Sequence, residues 1–97
     1  ILEYIYNRED FNLIGKNFIS NKNRAPTISF TVNNKTSKEV SELLVSQKIA
    51  TRNDNFYAWR CLKALNIDTD DGVVRLSLTH YNSKDDTETV INALKKI

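Results

Sequence analysis

Only one cysteine and one histidine occur in the 97 residues. Cys61 therefore has no partner for an internal disulfide, which suits a reducing compartment and leads us to expect the cytoplasm. Cys61 and His80 are also too few and too far apart for the usual zinc-ligand spacings, so no metal is expected. The two glycines, Gly15 and Gly72, stand alone and form no phosphate-cradling loop. No apolar run approaches the roughly 18 residues of a membrane span, and no signal peptide is recognisable. Nor is there a surplus of one charge. The 14 basic and 12 acidic residues are interspersed, and a net charge of +2 creates no field that would favour nucleic acid or an anionic membrane as partner.

What remains is an ordinary globular composition, 40% hydrophobic and 27% charged. One domain of this size buries about two-thirds of its unfolded surface without a disulfide or a metal. Residues 1 to 10 begin without methionine. Their Ile1, Leu2 and Ile5 sit on neighbouring turns, so they read as the tail of a preceding helix and the chain as a fragment of a longer protein. Residues 11 to 97 form the domain proper.

Phe11 to Ile14 should be a short strand ended by Gly15. Residues 17 to 24 read as a polar loop with Phe18 and Ile19 as an apolar foot. Pro26 can lead a strand in which Ile28, Phe30 and Val32 share one face, with Asn33-Asn34 as the following turn. Thr36 and Glu39 have capping-box spacing before a helix that carries Val40, Leu43 and Leu44 and runs to about Lys48. A short strand over Ile49 to Arg52 and a turn over Asn53-Asp54-Asn55 are expected next. The following helix presents Ala58, Cys61, Leu62 and Leu65 at i, i+3, i+4 and i+7, so Cys61 should be a buried, inert thiol. A last helix is capped by Ser83, with acidic Asp85 and Asp86 in its first turn and Lys95 and Lys96 in its last. The fold class is α+β, a small and mostly antiparallel sheet with helices on one face.

The run from Gly72 to Asn82 carries the most suggestive chemistry. In an extended strand Val74, Leu76, Leu78 and His80 face one way while Val73, Arg75, Ser77, Thr79 and Tyr81 face the other. Arg75 then stands among small hydroxyls as a flat fork of five donors suited to a carboxylate or phosphate. On the strand alone, a plain surface arginine is the favoured reading. Ser77 and His80 point to opposite faces, so they cannot form a nucleophile and base pair. Arg52, Phe56, Tyr57, Trp59 and Arg60 interleave charge and ring. That pattern fits single-stranded nucleic acid or a loop closing over a pocket, and the acidic neighbours favour the loop.

Three segments, Arg24-Ala-Pro-Thr-Ile-Ser-Phe, Ile49-Ala-Thr-Arg-Asn-Asp-Asn-Phe-Tyr-Ala and Val74-Arg-Leu-Ser-Leu-Thr-His-Tyr-Asn-Ser, come in the order and spacing of a known family. Over residues 11 to 97 the chain resembles the C-terminal small domain of class V aminotransferases, in their cysteine-desulfurase-like branch. The resemblance implies a pyridoxal 5'-phosphate enzyme, usually a homodimer, acting on an amino acid. The cofactor and its Schiff-base lysine would belong to a missing N-terminal domain, so the fragment would hold no cofactor site or catalytic residue and would be inactive alone. It further implies that Arg75 binds the substrate carboxylate, that Arg52 lies near the same substrate end, and that Asn55, Phe56 and Tyr57 belong to an active-site loop. Desulfurases carry a sulfur-accepting cysteine just before an alanine in this loop. Here Tyr57 precedes Ala58, Cys61 lies four residues on, and Asp54 replaces a usual glycine, which favours amino transfer or β-elimination over desulfuration. The other reading of the same Arg75 face is a free-standing α+β regulatory or ligand-binding domain that recognises an amino acid or a protein partner.

Overall fold

A computed structural model describes residues 1–17 and 24–97. Their elements follow the expected order: α1 (Leu2–Tyr6), β1 (Phe11–Ile14), β2 (Thr27–Val32), α2 (Ser37–Ser46), β3 (Arg52–Asp54), α3 (Trp59–Ala64), β4 (Val73–Ser77) and α4 (Lys84–Leu94). The strands form one sheet in the order β1-β2-β4-β3, and every pairing is antiparallel. The fold is therefore α+β. The apolar foot expected at Phe18 and Ile19 lies outside the described residues.

Alternation along the central strands decides which face is dry. Ile28, Phe30 and Val32 of β2 and Val74 and Leu76 of β4 are buried on one side, with Phe30 opposite Val74 and Ile28 opposite Leu76. Phe11 of β1 joins them, its ring 5.4 Å from that of Phe30. Leu2 and Ile5 of α1, Val40 and Leu44 of α2, and Ala93 and Leu94 of α4 close this core. Phe30 has no exposed surface, and truncating such a ring to alanine costs about 3–5 kcal/mol.

The helix ends explain where the elements stop. The Thr36 hydroxyl accepts from the Glu39 N–H while the Glu39 carboxylate accepts from the Thr36 N–H, so both partners of the capping box are present. These bonds hold the Glu39 carboxyl below its ordinary value. Ser83 and Asp86 repeat the arrangement on α4, and the Asp86 carboxyl is lowered for the same reason. At its other end α2 stops at Ser46, two residues before the expected Lys48. Lys48 takes φ 63°, its N–H donates to the Val45 carbonyl, and the Ile49 N–H donates to that of Leu44. This six-to-one closure uses the backbone of Ile49 to finish the helix. The strand expected from Ile49 to Arg52 is accordingly displaced, and β3 starts at Arg52 and takes in Asn53 and Asp54, which were expected in a turn. Lys95 and Lys96 fall just beyond α4 rather than in its last turn, where the Lys96 ammonium donates to the Gln47 side chain.

The expected stripe on α3 also needs correction. Of Ala58, Cys61, Leu62 and Leu65 only Leu62 is buried, and Cys61 is exposed. A helix of six residues makes under two turns and presents one anchor rather than a stripe. Asn66, at φ 57°, ends it with the same closure seen on α2, so Leu65 is carried out to solvent. Leu62 and Val73 are buried apart from the main core, and α3 adds nothing to that core.

Candidate functional site

The face of the sheet opposite the core carries Thr27, Ser29 and Thr31 on β2 and Arg75 and Ser77 on β4. Arg75 lies mid-strand with Ser29 registered on one side and Arg52 on the other. Two like charges directly opposite on antiparallel strands repel. Even so, the ion pairs among the described residues are Arg8–Asp10 and Lys38–Glu42, and neither the Arg52 nor the Arg75 side chain has a hydrogen-bond partner among those residues. What they share is an aromatic ring. The Phe56 ring centroid lies 4.1 Å from the Arg75 guanidinium carbon and 5.9 Å from that of Arg52. Stacking on the flat face of a guanidinium leaves its donors free, because they point outward in the plane.

The ring is delivered by a tight turn. The Ala58 N–H donates to the Asn55 carbonyl at 2.9 Å, and the two residues between, Phe56 and Tyr57, have φ 51° and 60°. Positive φ at both central positions is the type I′ geometry that usually selects asparagine and glycine. With Phe and Tyr it costs about 1–2 kcal/mol per residue, the kind of local strain that concentrates at functional sites. Asn55 holds the turn in place. Its side-chain oxygen accepts from the Tyr57 N–H at 3.0 Å, its amide donates to the Thr69 carbonyl at 3.2 Å, and its own N–H donates to the Asp54 carboxylate at 2.7 Å.

Two further features set the spacing of β3 and β4. Gly72 takes φ 75°, and a Cβ there would come within 2.3 Å of the Asp54 carbonyl, so only glycine lets the start of β4 approach the end of β3 this closely. Behind the sheet, the Asp71 carboxylate accepts from the Ser37 N–H at 2.9 and 3.0 Å. The Ser37 hydroxyl donates to the Asp71 carbonyl at 2.6 Å and accepts from the Asn53 amide at 3.2 Å. This network ties the first turn of α2 to β3 and to the turn before β4. Sequence reasoning did not single out Ser37 or Asp71. Their only local signal was an acidic turn and a serine after a cap, and their pairing spans 34 positions.

The structure therefore brings together Arg75, Arg52 and Phe56, with Asn55 as their support. It sends Tyr57 outward, 93% exposed at the tip of the turn. The strand expected through Asn82 ends at Ser77, because the Asn82 side chain accepts from the Thr79 N–H and turns the chain. His80 is exposed in that turn, edge-on to Tyr81 at 5.2 Å, and makes no hydrogen bond to Ser77. Among the described residues no group of three or more His, Cys, Asp or Glu could hold a metal, and no helix is long and apolar enough to cross a membrane. A groove of about 330 Å³ lies at the other end of β4, between Ile49, Leu76, Leu78, Tyr81 and Val90, and includes neither arginine. The arginine pair stands on the open sheet face.

The sequence matches the family described as aminotransferase class-V over residues 1–90. The aminotransferase-like protein FGM3 of Gibberella zeae is 32% identical over 98 residues, an alignment that covers 100% of this chain and 24% of that protein. Among solved structures, the cysteine desulfurase CsdA (S-sulfonic acid) from Escherichia coli superposes with a TM-score of 0.75 at 21% identity, covering 97% of this chain and 21% of that one. The apo cysteine desulfurase from Thermococcus onnurineus NA1 superposes with a TM-score of 0.66 at 28% identity, covering 72% and 17%. The chain thus spans about a quarter of the length of the curated relative it matches.

Proposed function

Because the chain belongs to the class V aminotransferase family, we propose that it is the small domain covering the active site of a pyridoxal-phosphate-dependent enzyme that acts on an amino acid. In this reading residues 11 to 97 are the domain and residues 1 to 10 the end of a helix entering from the rest of the parent protein. The parent works as a homodimer in the cytoplasm, and the small domain alone is inactive. The observation that carries the reading is Arg75. It is registered opposite a second arginine and stacked at 4.1 Å on Phe56, and its donors are unspent among the described residues.

The residues of this chain do not fit the cofactor itself. At the helix N-termini, where a phosphate would look for N–H donors, the Ser37 N–H of α2 already donates to the Asp71 carboxylate, the Glu39 and Asp86 N–H groups donate to the Thr36 and Ser83 hydroxyls, and the Glu39 and Asp86 carboxylates add negative charge beside them. The cofactor therefore belongs to the remainder of the parent, where it supplies an electron sink for bonds at the substrate α-carbon. The part of this chain is recognition. Arg75 offers two parallel N–H donors to the substrate carboxylate and fixes which end of the molecule enters. Arg52 adds positive potential beside it, and the Asn55–Tyr57 turn covers the flat side of the Arg75 guanidinium. Tyr57 occupies the loop position that a sulfur-accepting cysteine would need, so amino transfer or β-elimination is favoured over desulfuration.

Arg75→Gln in the parent protein tests this. Preference for L-alanine over L-alaninamide, read by calorimetric titration, should fall by about 1.5–3 kcal/mol, the range for a hydrogen bond to a charged group. An unaltered preference would sink the assignment.

A further inference from the structure

We propose that Phe56 is a positioning residue that sets the plane of the Arg75 guanidinium, so that selectivity for a carboxylate depends on a ring that does not itself touch the substrate. The inference rests on the reading of Arg75 as carboxylate anchor. A guanidinium recognises a carboxylate best when both of its parallel N–H bonds are made at once, which requires one orientation of the fork. Nothing in the strand supplies that orientation. The Arg75 side chain has no hydrogen-bond partner among the described residues, and its registered neighbours are a small hydroxyl, Ser29, and a second cation, Arg52. The Arg52 charge pushes the Arg75 head group away without choosing its plane. Among the described residues, Phe56 is the aromatic ring that lies against the guanidinium, with its centroid 4.1 Å from the guanidinium carbon.

The backbone supports the same conclusion independently. Phe56 and Tyr57 hold positive φ in a turn whose central positions favour asparagine and glycine. A loop that only had to connect β3 to α3 would relax with a small residue there. Keeping a bulky ring in that backbone directs it back over the sheet face, and the Asn55 amide bonded to the Thr69 carbonyl stops the turn from swinging out. With the flat side covered, water is kept from one face of the guanidinium while the edge stays open. The Phe56 centroid also lies 5.9 Å from the Arg52 guanidinium carbon, so the same ring takes a share of the second charge.

The decisive measurement is arginine side-chain nuclear magnetic resonance of the parent protein with 15N-labelled arginine. The Arg75 Nε–H signal, assigned by its loss in Arg75→Lys, should be displaced upfield by the ring current of Phe56. It should move to an ordinary position in Phe56→Leu and stay displaced in Phe56→Tyr. Titration of the same proteins with L-alanine and L-alaninamide should show the carboxylate preference falling roughly three- to tenfold in Phe56→Leu and returning in Phe56→Tyr. An undisplaced Arg75 signal in the unmutated protein would overturn the proposal without recourse to any variant. So would a Phe56→Leu protein that keeps the full preference. Arg75→Gln separates this proposal from the reading beneath it. If that variant abolishes the preference while Phe56→Leu retains it, the anchor stands and the positioning role fails. If Arg75→Gln leaves the preference intact, the anchor itself fails.

Discussion

Arg8 and Arg75 are two arginines stacked on aromatic rings, and they differ in what their donors meet. The Arg8 guanidinium lies 5.7 Å from the Tyr4 ring centroid and 5.0 Å from that of Phe11. It donates to both carboxylate oxygens of Asp10, and to the Tyr4 hydroxyl at 2.6 Å. Those bonds hold the Asp10 carboxyl below its ordinary value and pin the end of α1 to the start of β1. Arg75 has a closer ring, at 4.1 Å, and a second arginine opposite where a carboxylate would be welcome. An arginine whose donors are consumed by its own chain serves the fold. One whose face is covered and whose edge is unspent is prepared for an anion from elsewhere.

That contrast can be broken most sharply at Gly72. Gly72→Ala forces a Cβ against the Asp54 backbone at a positive φ, so β3 should separate from β4 and the arginine pair be lost. A local destabilisation of about 3 kcal/mol is expected, visible as lost hydrogen-exchange protection of the Arg75 amide, which faces β3, in the parent protein while amides in β1 keep theirs. Retained protection at Arg75 would show that the close approach is dispensable. The next largest effect is a crossed pair of variants. Arg75→Gln should remove about 1.5–3 kcal/mol of carboxylate preference with little change in stability, whereas Arg8→Gln should lower the denaturation midpoint and leave the preference alone. If both variants altered the same quantity, the distinction between the two arginines would collapse.

A smaller effect of opposite sign is expected at Arg52. Replacing it by glutamine relieves the cross-strand repulsion and should raise the protection of β4 by about 0.2–1 kcal/mol, with the gain shrinking as salt is added. A loss of protection would mean that Arg52 is already neutralised. The smallest effect is titration. Because the folded-state pKa of Asp10 lies below its ordinary value of 3.8, the pair's stabilisation is complete above that value and is lost as pH falls through the lower folded one. Acid denaturation curves of Asp10→Asn should therefore be shallower in that range. Glu39 and Asp86 titrate with the same sign and remain as background in both proteins.

Much of the fold was legible because it is written in local periodicity. The alternation of Ile28, Phe30 and Val32 made β2 a strand with one dry face, and the Thr36–Glu39 spacing and the Ser83 cap marked the starts of α2 and α4. The failures lie where nearby residues give no instruction. Nothing short-range tells Ile49 that its N–H will close α2 rather than open a strand, or tells Cys61 that α3 is too short to bury it. At the candidate site, Arg75, Arg52 and the Asn55–Tyr57 loop could be named from residue type and order. The stacking of Phe56 and the Ser37–Asp71–Asn53 network could not, since each joins segments distant in the chain.

By itself the sequence determined the element order, the core face of the central strands and the placement of Arg75 on the opposite face, because a period of two along an extended chain leaves no other arrangement. Only the tertiary structure decided that Arg75 sits opposite Arg52 and beneath Phe56. That depends on cross-strand register, on a turn held at positive φ, and on a glycine close against a neighbouring backbone, all of which arise between segments after they meet.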